Sequence, residues 1–157
     1  MEHKHFVAYC GLYCRLCEHH ARIPQRAAVF KEAMQKADYE DFGSRMPDFD
    51  EFWRFLQRLT SVEDRKCCRT EECGAPFCAI RKCAMQRDVE MCPECEEYPC
   101  ERVKTFAKGE PTLLHDGQRI REKGLDAWVE EQEGRRKAGF CYADIRCYPY
   151  YIPRDSD

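Results

Sequence analysis

Thirteen cysteines punctuate the 157-residue chain, and eleven of them fall between positions 10 and 100. They form three groups there: Cys10, Cys14 and Cys17; then Cys67, Cys68, Cys73, Cys78 and Cys83; then Cys92, Cys95 and Cys100. Thiolates are soft ligands for zinc and for iron–sulfur clusters. Cys92-Pro-Glu-Cys95 is the strongest local signal, because a two-residue spacer makes a tight turn that aims both sulfurs at one ion. Cys14 and Cys17 repeat that spacing, and Cys10, four residues before Cys14, would share a face with it on a helix. A fourth ligand for that group would come from another cysteine or from His19 or His20, whose other reading is a polar surface pair. Cys68, Cys73, Cys78 and Cys83 recur every five residues, and Cys95 and Cys100 keep the interval. Five residues turn a helix through roughly 140°, so these cysteines belong in loops or serve different ions. All eleven are candidate metal ligands. Cys141 and Cys147 are spaced too widely for a simple knuckle and stay outside the set.

So many cysteines fit a reducing compartment when metal, not disulfide bonding, is the reason to keep them, and an odd number leaves one over in any complete disulfide scheme. Zinc is the expected ion, with an iron–sulfur cluster in an electron-transfer or redox-accessory role as the alternative, since four thiolates suit either. Buffering or delivery of zinc is a third reading. The Cys10-x-x-x-Cys14-x-x-Cys17 spacing also matches the cluster loop of radical S-adenosylmethionine enzymes, but so short and helical a chain cannot supply the barrel those enzymes need. Neither Cys-x-x-Cys pair sits in the βαβ pattern of a thioredoxin-like redox site. A catalytic zinc keeps an open position and takes histidine or carboxylate ligands, whereas this chain offers thiolates in surplus. The reading is therefore a non-enzymatic binding or interaction module, with an unknown protein as partner.

The formal charge is −3, from 26 Lys and Arg against 29 Asp and Glu. A divalent ion in four thiolates adds about two negative charges, which Arg15, Lys66, Arg69 and Lys82 are placed to offset. Without a basic excess, a nucleic-acid backbone is disfavoured as partner. No run approaches the ~18 apolar residues of a membrane span, and the first ten residues lack the apolar core of a signal peptide, so a cytoplasmic location is expected.

The elements that must position the cysteines lie between their groups. With 43% hydrophobic residues the chain can form one domain over residues 1–157, comprising a cysteine-cluster region 10–100 and a helical and aromatic tail 101–157. Pro24 suits a first helical turn, and Phe30, Ala33, Met34 and Ala37 continue at helical spacing, predicting a helix over about 24–41 before Gly43. Asp48 with Glu51 three residues on predicts a capping box opening a second helix, whose apolar face is Phe49, Phe52, Trp53, Leu56 and Leu59. From 60 to 100 periodicity fades, prolines interrupt, and metal is expected to stand in for a hydrophobic core. Short helices are expected from Cys78 to Arg87 and from Pro99 to Lys108, closed by Gly109. Another follows Pro111 through Leu114, Ile120 and Arg121 to Gly124, and a last one carries Leu125, Trp128 and Val129. The tail from Phe140 to Pro153 is irregular, with Tyr142, Tyr148, Tyr150 and Tyr151. The expected fold is mainly α, several packed helices around a small irregular metal-stapled cysteine core.

Three ordered motifs carry a resemblance: Tyr9-Cys10-Gly11-Leu12-Tyr13-Cys14 with Cys17; Cys78-Ala-Ile80-Arg81-Lys82-Cys83-Ala84; and Cys92-x-x-Cys95-x-x-Tyr98-Pro99-Cys100-Glu101. Together they resemble the bacterial and archaeal domain of unknown function 3795. Gly124-Leu125-x-x-Trp128 with Glu131-Gln132-Glu133 extends the likeness to most of the chain. The resemblance implies zinc binding and no particular activity. Where members of that family often carry a Cys-x-Gly-Cys element, this chain has Cys67-Cys68 and Cys73.

Overall fold

Proline, glycine and aspartate divide the chain into helices. The computed structural model describes residues 4–61, 68–70, 75–147 and 152–154. Lys66, Cys67, Cys73, Tyr148, Tyr150 and Tyr151 lie outside the described residues. Among the described residues the regular structure is helical, apart from a lone antiparallel bridge between Val7 and Tyr13. The chain divides into two compact units, one formed by Met1–Cys17 with Lys66–Asp157 and the other by Glu18–Arg65.

The second of these, here called the hairpin unit, contains α1 (Glu18–Ala21), α2 (Ile23–Lys36), α3 (Tyr39–Phe42) and α4 (Phe49–Thr60). Pro24 sits in the first turn of α2, where its missing N–H costs nothing. The single helix expected over 24–41 is broken instead: Asp38 adopts φ 58°, a left-handed conformation that aspartate tolerates, and α3 starts afresh after it. Asp48 does precede α4, but at φ 60° and without a side-chain cap hydrogen bond, so the capping box is not formed. Phe49 and Leu56 are the buried members of the α4 face, whereas Phe52 is 40% exposed. Phe49 stacks on Trp53 with ring centroids 5.5 Å apart and on Tyr39 at 6.4 Å. Gly43 leaves room for that stack, since a Cβ there would lie 2.5 Å from Phe49 Cζ.

The remaining helices belong to the cysteine unit: α5 (Ala79–Gln86), α6 (Glu101–Ala107), α7 (Leu113–Lys123) and α8 (Leu125–Lys137). All four match the expected segments within a few residues. Gly124, at φ 83°, makes the break between α7 and α8, and Arg135, Arg136 and Lys137 complement the C-terminal dipole of α8. Val7, Tyr13 and Leu16 from the N-terminus pack with Ile80, Met91, Val103, Phe106, Leu113, Ile120, Trp128 and Tyr142 in one core. Region 60–100 thus supplies Ile80 and Met91 to an ordinary hydrophobic core that includes Cys10, and Cys14, Cys68, Cys78, Cys92 and Cys100 lie against it.

Candidate metal centre

The N-terminal loop is the hub of the site. Ala8 N–H donates to Leu12 O at 2.8 Å and Gly11 N–H to Ala8 O at 2.9 Å, folding residues 8–12 into a tight turn. Gly11 takes φ 96°, which an L side chain rarely adopts, and a Cβ there would meet Pro93 Cγ at 3.2 Å. Cys10 therefore sits in a turn, and Cys14–Leu16 is a short 3-10 helix. The helical face that Cys10 and Cys14 could have shared is not built, because Gly11 turns the chain between them.

Tyr9 joins the three cysteine groups through its backbone. Its N–H donates to Cys68 Sγ at 3.3 Å, and its carbonyl accepts from Cys92 N–H at 2.7 Å. Cys10 is thereby held beside one cysteine 58 positions away and another 82 away, by the difference of their residue numbers. Arg69 secures the junction: Nε donates to Val7 O at 2.6 Å, Nη2 to Glu90 O at 2.7 Å, and the guanidinium lies over the Tyr9 ring at 4.7 Å. Burial pushes the Cys10 thiol well above its ordinary value, and Cys68, Cys92 and Cys78 nearby push it further.

Local structure sets the other sulfurs. Cys92–Glu94 is a 3-10 turn opened by Pro93, and Cys95 N–H donates to Cys92 O at 2.9 Å. Tyr98 N–H then donates to Cys95 O at 3.1 Å, and the Tyr98–Pro99 bond is cis. Cys100 is the N-cap residue of α6, Cys78 the N-cap residue of α5, and Cys83 lies on α5. Cys92 is the point where these meet. Burial, followed by Cys100, Cys83, Cys95 and Cys78, pushes its thiol up to about 12. Crowded thiols in a half-buried place oppose one another's ionisation; a divalent cation among them reverses that sign, since each thiolate then gains an attractive partner.

Cationic side chains brace the site from outside: Arg69, one of those expected, does so at Tyr9, and two others come from elsewhere. Arg15 pairs with Glu133 at 3.3 Å and lies 4.2 Å from the Phe6 ring centroid, turned to other partners. Arg87, which sequence reading passed over, places Nη1 3.9 Å from Cys95 Sγ while both its terminal nitrogens bind Glu97 at 2.8 and 2.9 Å. Arg121 of α7 donates to Pro93 O at 3.3 Å and Cys95 O at 3.2 Å, tying the Cys-Pro-Glu-Cys turn to that helix. Tyr98 fills the space between: its hydroxyl reaches Leu113 O at 3.4 Å, and burial, then Cys92 and Cys10, push its phenol up to about 12. Gly117 makes room for it, because any Cβ there would collide with the Tyr98 hydroxyl. The Tyr98-Pro99-Cys100 motif was the sequence signal for this ring; nothing local marked Gly117 or Arg87.

The structure thus gathers Cys10, Cys68, Cys78, Cys83, Cys92, Cys95 and Cys100 into one neighbourhood. Cys14 lies near the Tyr142 phenol, and Cys17 is half-buried at the end of the 3-10 turn. His19 and His20 fall on α1 of the hairpin unit. Cys67 and Cys73 lie outside the described residues. Of the two excluded cysteines, Cys141 is fully buried in the core and Cys147 is exposed. Among the described residues, no three histidine, cysteine, aspartate or glutamate side chains form a ready-made ion shell. The donor set itself, soft sulfurs backed by guanidinium groups, fits a thiolate-bound metal.

The sequence model of a family described as protein of unknown function (DUF3795) matches residues 6–105, which span every gathered cysteine. No curated protein and no solved structure matches the chain.

Proposed function

The chain belongs to the DUF3795 family, and we propose that it is a binding or interaction module of reducing, cytoplasmic surroundings whose cysteine unit is stapled by zinc. The observation that supports this reading is the convergence on Tyr9, which links Cys68 and Cys92 to the Cys10 turn by two hydrogen bonds. Three separate segments bring sulfur to one place, and buried thiols alone would gain nothing from crowding. Cys83, Cys92, Cys95 and Cys100 form the first shell of this proposal, since Cys100, Cys83 and Cys95 are the strongest influences on Cys92 after burial. Cys10, Cys68 and Cys78 belong to a second, to which Cys14, Cys17, Cys67 or Cys73 adds a ligand. Zinc would supply folding free energy by holding the N-terminal turn, α5 and α6 together, leaving the helices to meet a protein partner.

Cys92→Ser and Cys95→Ser test the reading. Each leaves a three-thiolate remnant, so each variant should lose at least one whole equivalent of metal and gain alkylatable thiols under native conditions. Full metal content in both variants, with no newly reactive thiol, would overturn it.

A further inference from the structure

Helices α7 and α8 carry three polar side chains that reach no solvent: Asp116, Trp128 and Gln132 are each 0% exposed. Arg135 draws two of them together, because its Nη1 donates to Asp116 Oδ1 and to Gln132 Oε1, both at 3.2 Å. Trp128 stands four residues before Gln132, on the same face of α8. After these bonds three fully buried atoms have no hydrogen-bond partner among the described residues: Asp116 Oδ2, Gln132 Nε2 and Trp128 Nε1. One is an acceptor and two are donors. Buried polar groups left unsatisfied are rare and costly, and three on one helix pair point to a shared ligand.

The chemistry of the three atoms selects it. A metal cation would face two N–H donors that cannot ligate it, an anion would face the Asp116 carboxylate, and an apolar molecule would satisfy none of them. A water molecule accepts two hydrogen bonds and donates two, and internal waters typically make about three bonds to groups of this kind. We infer that the α7–α8 interface binds one internal water, which accepts from Trp128 Nε1 and Gln132 Nε2 and donates to Asp116 Oδ2. The three atoms lie on α7 and α8 and include no cysteine. It fixes the register of α7 against α8 next to Gly117, the residue that admits Tyr98 to the rear of the cysteine turn.

The test is water-selective NMR on the full-length 15N-labelled protein. The Trp128 indole proton and the Gln132 side-chain amide should both show direct cross-relaxation with a water held for longer than the tumbling time. Trp128→Phe keeps an aromatic ring, though a smaller one, and removes the donor; it should weaken the Gln132 cross-peak while the far-UV circular dichroism spectrum is retained. Absence of both cross-peaks in the parent protein overturns the inference whether or not the variant folds. An undiminished Gln132 cross-peak in a folded Trp128→Phe protein overturns the three-atom site.

Discussion

The hairpin unit and the cysteine unit solve the same problem with different materials. In the hairpin unit, α2 and α4 are held by rings: Phe49 stacks on Trp53 and Tyr39, and Phe30 meets Phe52 edge-on at 6.3 Å. In the cysteine unit a hydrophobic core is joined by buried polar links, such as Glu110 with Arg146 at 2.6 Å and Tyr13 Oη donating to Glu133 at 2.6 Å, and by the gathered thiols. The first arrangement rests on aromatic and apolar packing; the second, on the zinc reading proposed above, would also depend on groups whose state changes with metal and pH. Removing one kind of support should therefore leave the other unit standing.

Metal removal should separate the units most sharply. Structural zinc in small domains contributes about 10–16 kcal/mol at neutral pH, far more than any side-chain change considered below. After a strong chelator has stripped the metal, amide hydrogens of α5 and α6 should lose protection while those of α2 and α4 keep theirs. Equal exchange rates before and after stripping would show that thiols hold nothing together.

Gly117→Ala should act next, and only on the cysteine unit. Alanine improves helix propensity by up to ~1 kcal/mol, but its Cβ would collide with the Tyr98 hydroxyl in a half-buried site. Overpacking costs about 1–3 kcal/mol, so the clash should win. The measurement is chemical denaturation together with the chelator concentration that removes half the metal; both should fall. Gly43→Ala provides the mirror experiment, since its Cβ would press on Phe49 in the hairpin unit. Stability of α2 and α4 should drop by a comparable amount with metal content unaltered. A loss of metal in that variant would contradict the separation.

Acid should give a smaller, graded effect. Burial works to raise the Glu133 carboxyl, but hydrogen bonds from Tyr13, Arg136 and Arg15 outweigh it and hold the group at about 2. A carboxylate depressed from an unfolded value of about 4.3 contributes stability that is complete above that value and lost as pH falls toward 2. Glu133→Gln should remove this part of the acid dependence of the cysteine unit, read as a flatter slope of denaturation midpoint against pH. An unchanged slope would show that the Tyr13–Glu133 link is not a stabilising contact.

Much of the helix layout was legible because its punctuation is local. Gly124 ends one helix and Pro24 opens another for reasons confined to one residue's backbone. Asp38 and Asp48 show where that logic stops: aspartate reads as a solvated or capping residue, yet both adopt left-handed angles that break or precede helices without a capping bond. The cysteine motifs identified the participants of the site but not their meeting point. No pattern in sequence announces that the Tyr9 backbone will bind Cys68 and Cys92, because that pairing is tertiary. Asp116 and Gln132 were equally hidden, being polar residues on helices that the fold buries completely. Arg87 escaped notice because its guanidinium reaches Cys95 from the far end of α5, eight positions away.

Whether the gathered cysteines hold zinc as thiolates is decided by anaerobic purification of the full chain followed by metal analysis and an optical spectrum. A colourless protein with zinc in whole-number stoichiometry per chain is expected. A brown protein with visible absorption and iron would replace zinc with a cluster, and a protein free of metal with all its thiols reactive would contradict the account altogether.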